Sequence, residues 1–185
     1  MSKLGDSLVE QLISCSPKEK ENMGTTIVEL LSGDATKKAI NLPARRGNAD
    51  GGIDGRIRVT ATSIEKISDL SGVFYKKGLR TEQEAAVSVK IEKKKFSPKA
   101  FGHFKVALER ENIFMGIIIT ASGLSPDVER MIMDINNEGI YTFYHVYLKD
   151  IILWKVEQYG IEFLCGNISV RLCEELNKFI DNSST

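Results

Sequence analysis

Residues 85–120 read AAVSVKIEKKKFSPKAFGHFKVALERENIFMGIIIT, and this stretch decides the fold. Its first part, 85–91, alternates apolar and polar side chains, which is typical of a β-strand. A Ser-Pro pair at 97–98 then opens a helix, because serine caps helices and proline suits their first position. The run 115–120, MGIIIT, is continuously apolar, as in a strand covered on both faces. The stretch therefore predicts alternating strands and helices.

The same signals continue on both sides of this stretch. Leucines at helical spacing predict a helix over 3–14, and Ser16 with Glu19 forms a capping box for a second helix. We further predict a strand over 39–43, a turn over 47–55 leading into a strand, a helix and loop over 63–82, a helix from 126, a strand over 141–146, and helices over 148–158 and 168–181. Met131 is expected to face the core, and Tyr147 to cover the sheet. This order predicts an α/β fold, a sandwich of helices around a mixed central sheet.

Length and composition fit one globular domain. The 185 residues are 42% hydrophobic and 27% charged, which is ordinary for this class. We expect a helical extension over 1–20, a core over 21–146 and C-terminal helical elements over 147–185. No run approaches the roughly 20 apolar residues of a membrane helix, and the N-terminus does not resemble a signal peptide. We therefore expect no membrane partner. Three cysteines are too few for a disulfide framework or zinc site, which favours a cytoplasmic location.

The zero net charge is a cancellation along the chain. Residues 1–36 carry 3 basic and 6 acidic side chains, and residues 111–185 carry 5 basic and 11 acidic ones. Residues 37–110 carry 17 basic against 8 acidic side chains, a balance of +9. Two interpretations stay open for this basic block: a solvated surface paired with the acidic flanks, or a surface that faces phosphates.

Asp54 and Lys90 are the candidate chemical residues. Asp54 lies at the edge of the glycine-rich turn GNADGGIDG, and Lys90 shares one strand face with Ser88. A carboxylate can hold a hard cation such as Mg²⁺, and a lysine can steady a water or the charge that develops on phosphate. In the alternative interpretation, Asp54 caps the turn and Lys90 belongs to a solvated basic cluster.

A family resemblance favours the chemical interpretation. The pattern DGGIDGRIRV … AVSVKIEKK … FGHFKVALERENIFMGIIITASGLSPDVERM resembles the catalytic domain of Mrr-type restriction endonucleases, members of the PD-(D/E)XK nuclease superfamily. It is especially similar to the form attached to some bacterial site-specific DNA methyltransferases. The resemblance covers about residues 23 to 145. It implies the restriction-endonuclease-like three-layer α/β/α sandwich with a mixed central sheet, and DNA as the substrate.

The resemblance also implies a role for each motif residue. Asp54 matches the metal-binding aspartate, and Lys90 matches the catalytic lysine. Ser88 stands where the family has Asp, Glu or Gln in its (D/E)XK half-motif. The backbone carbonyl of Val89 is the implied source of one further metal oxygen. The implied cofactor is Mg²⁺ or Mn²⁺.

Two carboxylate positions depart from the family pattern. Ser88 offers a neutral hydroxyl, and Glu92 would supply a carboxylate on the same strand face if the strand extends that far. In the first core helix, Gly24 stands where many relatives have Glu, so Glu21 or Glu29 would have to substitute.

The candidate DNA contacts come from the basic block. His103 stands where the Mrr-like helix usually carries Gln; it is either a helix-surface residue or a phosphate or proton-transfer contact. The lysine and arginine candidates are Arg45, Arg46, Lys93, Lys94 and Lys95.

Three functions follow from this sequence as hypotheses. The leading one is a metal-dependent DNA endonuclease of a restriction or defence system, acting as a homodimer because two strands need two sites. The second is a nuclease fold that binds DNA without cutting it, since carboxylates are missing at two positions. The third is a subunit whose acidic flanks dock a methyltransferase or helicase partner.

Overall fold

The computed structural model describes residues 2–31, 52–59, 61–71 and 83–159. Two helices come first, and strands and helices alternate after them. In chain order they are α1 Ser2–Ser14, α2 Pro17–Leu31, β1 Gly55–Val59, α3 Ala61–Leu70, β2 Gln83–Lys90, α4 Pro98–Glu111, β3 Met115–Thr120, α5 Pro126–Glu138, β4 Thr142–Tyr147 and α6 Leu148–Tyr159. The predicted strand over 39–43, the helix over 168–181 and the candidate DNA contacts Arg45 and Arg46 lie outside the described residues.

The four strands form one mixed sheet in the order β1-β2-β3-β4. Strand β1 runs antiparallel to β2, with Gly55 opposite Val87. Strands β2, β3 and β4 are parallel, and their last residues Lys90, Thr120 and Tyr147 lie in one row across the sheet. The carboxyl ends of three strands therefore meet at one edge, next to the start of β1.

Helices cover both faces of this sheet. Buried side chains of α1, α2, α3 and α6 pack with Val87 and Val89 on one face. Buried side chains of α4 and α5 pack with Ala86 and Ile118 on the other. This alternation of side chains along β2 and β3 is the expected strand geometry. The predicted three-layer α/β/α sandwich with a mixed central sheet is confirmed.

Helix-capping signals in the sequence explain where two helices begin. In the capping box before α2, the Ser16 N–H donates to the Glu19 carboxylate at 2.7 Å, and the Glu19 N–H donates to the Ser16 hydroxyl at 3.4 Å. At α4 the Ser97 hydroxyl accepts from the Ala100 N–H at 3.3 Å. The same helix ends at Asn112, which adopts the left-handed conformation with φ 54°.

Two predicted core positions are wrong. Met131 is 36% exposed. Asn136 of α5, one helical turn after the buried Ile132, faces the core instead. The buried Asn136 amide donates to the Phe143 carbonyl at 3.0 Å and accepts from the Phe143 N–H at 2.8 Å, so its polarity is satisfied by β4. Tyr147, which was expected to cover the sheet, is 41% exposed at the end of β4.

The division into an extension, a core and C-terminal elements stays a prediction.

In the described ranges, no helix combines the length and apolar character needed to cross a membrane.

Candidate active site

Asp54 is held against β2 by its backbone and its side chain. It directly precedes β1, and its N–H donates to the Val87 carbonyl at 2.8 Å. Its carboxylate Oδ2 accepts from the Val89 N–H at 2.7 Å and from the Ser88 hydroxyl at 3.5 Å. Lys90 is the next residue along β2. The structure therefore brings Asp54 into contact with the first two residues of the Ser88-Val89-Lys90 motif.

Glycines on both sides of Asp54 permit this close approach. Gly52 has φ 82°, a conformation that side chains other than glycine rarely adopt. At Gly55 a Cβ atom would lie 2.5 Å from the Val28 Cγ1 atom, so only glycine lets β1 begin against α2. Gly52 and Gly55 thus allow the backbone to bring Asp54 against β2.

The chemistry of the donor atoms fits a hard divalent cation. The Val87 carbonyl accepts the Asp54 N–H. Backbone groups two residues apart on a strand face the same way, so we expect the Val89 carbonyl on the side from which Asp54 binds the Val89 N–H. One carboxylate and one carbonyl suit Mg²⁺, which keeps several waters and takes further oxygens from phosphates. In the described part of the chain, no three His, Cys, Asp or Glu side chains are grouped as a ready-made metal site.

Helix α2 passes the motif at Gly24, the departure noted in the sequence. Gly24 is buried, and a Cβ built on it would lie 3.9 Å from the Val89 Cβ atom, an ordinary van der Waals distance. A longer side chain at this position would begin next to the motif. Glycine provides no carboxylate there.

The other carboxylate candidates lie on α2 and beyond the end of β2. Glu21 is exposed, one helical turn before Gly24. Glu29 belongs to α2, but its side chain lies outside the described part of the structure. Strand β2 ends at Lys90, so Glu92 lies in a bend beyond the strand with an exposed side chain. The roles of Glu29 and Glu92 stay predictions.

Part of the basic block is neutralised by ion pairs. Arg56, on β1, binds the carboxylate of Glu111 at 2.6 Å and that of Glu84 at 3.4 Å. Hydrogen bonds from Arg110 and Arg56 lower the pKa of the Glu111 carboxyl. These pairs match the interpretation of a basic block whose charges are compensated, and they take Arg56 out of the charge available to a phosphate.

The lysines after β2 are different. We call residues 91–97, between β2 and α4, the lysine segment. Its Lys93, Lys94 and Lys95 are exposed, and among the described residues none of them forms an ion pair. His103 is exposed one turn into α4, on the helix that follows. Uncompensated charge next to Lys90 matches the phosphate-facing interpretation.

A buried polar pair near this edge was missed by sequence reasoning. Thr120 and His145 are 2% and 6% exposed, and the Thr120 hydroxyl and His145 Nε2 are hydrogen-bonded at 2.9 Å. Burial lowers the pKa of His145 to about 4. A lone histidine in the otherwise apolar strand pattern YTFYHVY was the available signal, together with a threonine that ends MGIIIT.

No family model and no curated protein sequence matches the chain. Among solved structures, its fold is similar to that of the DNA modification-dependent restriction endonuclease AspBHI, with a TM-score of 0.51 and 16% sequence identity. The match covers 98% of this chain and 40% of that protein, so the chain spans about two fifths of the neighbour's length. The fold is therefore restriction-endonuclease-like.

Proposed function

We propose that the chain is the cleavage domain of a metal-dependent DNA endonuclease of the Mrr type, acting in restriction or defence. The observation that carries the proposal is the contact of the Asp54 carboxylate with the Val89 N–H, one residue before Lys90. That contact lies at the edge where the parallel strands end, which supports a site built from the Asp54 carboxylate, the Val89 carbonyl and Lys90.

Each residue has one task in this proposal. Asp54 and the Val89 carbonyl hold Mg²⁺ or Mn²⁺, and Ser88 supports Asp54 through its hydroxyl. A bound divalent cation would polarise the scissile phosphate and lower the pKa of a water. Lys90 orients the attacking water and stabilises the charge that develops on the phosphate oxygens.

The lysine segment and His103 bind the DNA backbone in this proposal, together with Arg45 and Arg46. Contacts with phosphates position a duplex without reading its sequence. The neighbour is named as a modification-dependent enzyme, and its chain is longer than this one. Target selection is therefore assigned to further protein, either a longer chain or a methyltransferase or helicase partner, and duplex cleavage to a homodimer.

The test is nicking of supercoiled plasmid by the purified chain. We expect conversion to open circles with Mg²⁺ or Mn²⁺ and none with EDTA. The substrate is a set of plasmids with different base modifications, so that the assay does not depend on one particular target. The proposal assigns the cleavage chemistry to this chain without the protein that selects targets, so failure to cut with every divalent ion on every plasmid would refute it.

A second function is favoured by a specific observation. Neither Ser88 nor Gly24 brings a carboxylate to the motif, although both lie next to it. A domain that binds DNA through the same surface but does not cut it would show salt-dependent DNA binding and intact plasmid in every metal.

Replacing Ser88 by aspartate tests the metal site that the first function requires. The new carboxylate would lie close to Asp54, whose Oδ2 is 3.5 Å from the Ser88 hydroxyl, so the two charges should repel without metal. We expect S88D to have a lower Tm than wild type in EDTA and a larger stabilisation by Mg²⁺. Binding at 100 times Kd adds about 2.7 kcal/mol, which is roughly 5–10 °C for a chain of this size.

Thermal denaturation with and without Mg²⁺ measures this effect without reference to activity. The matched control is Ser97→Asp, an exposed serine that caps α4. An equal Mg²⁺ effect on S88D, S97D and wild type would contradict a metal site at Asp54.

A further inference from the structure

The lysine segment is attached at both ends to the turn that follows β3. We call residues 121–125 the anchor turn. The Ala121 N–H donates to the Lys90 carbonyl at 2.9 Å, and the Ser122 hydroxyl donates to the Glu92 carbonyl at 2.5 Å. These bonds join the start of the lysine segment to the anchor turn.

The end of the segment is attached in the same way. The Phe96 N–H donates to the Gly123 carbonyl at 2.9 Å, and the Ser125 N–H donates to the Phe96 carbonyl at 3.1 Å. Phe96 and Leu124 form a parallel bridge, and both side chains are buried. The three lysines between these attachments are exposed, while the backbone on both sides of them is fixed by the anchor turn.

The anchor turn is hydrogen-bonded to Thr120. The Gly123 N–H donates to the Thr120 hydroxyl at 2.9 Å, and that hydroxyl is bonded to His145 Nε2 on β4. Gly123 has φ 83°, and a Cβ there would lie 3.0 Å from the Tyr147 hydroxyl oxygen. The turn is thus held in a conformation that needs glycine, and the buried hydroxyl supplies the side-chain acceptor for its N–H.

We infer that Thr120 and His145 are positioning residues for the phosphate-binding lysines: a continuous hydrogen-bonded path from His145 through Thr120, Gly123 and Phe96 fixes the lysine segment. The role in DNA binding rests on the proposed function. The fixing of the lysine segment by these hydrogen bonds does not depend on it. Fixed lysines lose less conformational freedom when they bind the DNA backbone, which favours binding.

The deciding variant is Thr120→Val, which keeps the shape of the side chain and removes the hydroxyl. Without this acceptor the Gly123 N–H is left buried and unpaired. We expect amide hydrogen exchange at Gly123 and Phe96 to accelerate about ten- to a hundredfold relative to wild type. Thr120→Ser keeps the hydroxyl and should show wild-type exchange. His145→Gln tests the hydrogen bond between residue 145 and the Thr120 hydroxyl.

The second measurement is binding to a short DNA duplex at several salt concentrations. Neutralising Z phosphates gives a slope of about −0.9Z in log affinity against log salt, so three lysines account for up to about 2.7 of the slope. We expect Thr120→Val to reduce the magnitude of this slope by at least about 1. Thr120→Ser should leave the slope unchanged.

Asn136→Ala is the matched control. Asn136 is as buried as Thr120 and also holds β4, but through the backbone of Phe143, the second residue of that strand. It should destabilise the fold without changing the salt slope. Unchanged exchange at Phe96 in Thr120→Val, or an equal loss in Asn136→Ala, would overturn the positioning role. If wild type shows no salt-dependent binding, the proposed DNA surface fails, while the exchange measurement still decides the path.

Discussion

Asp54→Asn and Lys90→Met are each expected to lower the rate of plasmid cleavage by about 100- to 1000-fold or more. Loss of one preorganised group that stabilises transition-state charge costs about 3–4 kcal/mol in enzymes. Asn keeps an oxygen that can accept the Val89 N–H, so the local structure should persist while the negative charge is lost. Met keeps the length of the Lys90 stem and removes its ammonium.

A charge-matched control shows whether the effect belongs to the site. Lys66 lies on α3, which packs on the opposite face of the sheet from α4 and α5. Lys66→Met removes the same charge, and it should cut plasmid at the wild-type rate. Binding to duplex DNA in Ca²⁺ should change less than about tenfold in all three variants, because most phosphate contacts are untouched.

The two variants also test the site assignment directly. If cleavage survives both Asp54→Asn and Lys90→Met at the wild-type rate, the cleavage site lies elsewhere in the chain. If only Lys90→Met is inactive, Asp54 serves the turn structurally, as in the alternative interpretation of the sequence.

The elements that sequence reasoning placed well have strong local signals. The Ser97 cap of α4 and the capping box before α2 act between residues close in the chain, and proline suits the first turn of both α4 and α5. The continuous apolar run of β3 reports burial on both faces, which both core clusters show. These signals are enough to predict the layers and the mixed sheet.

What the sequence did not predict depends on contacts between distant residues. Asn136 reads as a surface residue of α5, and its place in the core follows from two hydrogen bonds with Phe143. The contact between Asp54 and Val89 joins residues 35 apart in the chain. His145 and Thr120 are 25 residues apart, and no sequence pattern links the two. Polar residues that are satisfied only by tertiary contacts carry no periodic signal.

His145 should make the folded state lose stability as the pH falls. Its pKa is lowered from 6.5 to about 4 by burial, so between these values the unfolded chain binds a proton that the folded chain does not. Stability then rises with pH in this range. It is complete above about pH 6.5 and is lost progressively toward pH 4. A shift of this size corresponds to about 3 kcal/mol, and the side chain is only 6% exposed, so solvent screening removes little of it.

The measurement is urea denaturation of wild type and His145→Gln at pH 7.5, 6.5, 5.5 and 4.5. Gln retains a hydrogen-bonding group toward Thr120 and does not titrate, so its free energy of unfolding should fall less with acid than that of wild type. Burial also raises the pKa of Asp150, which acts in the opposite direction. That contribution is common to both proteins and cancels in their difference. Parallel pH profiles for the two proteins would show that the His145 imidazole is protonated in the fold at little cost, and that its bond to Thr120 does not require the neutral ring.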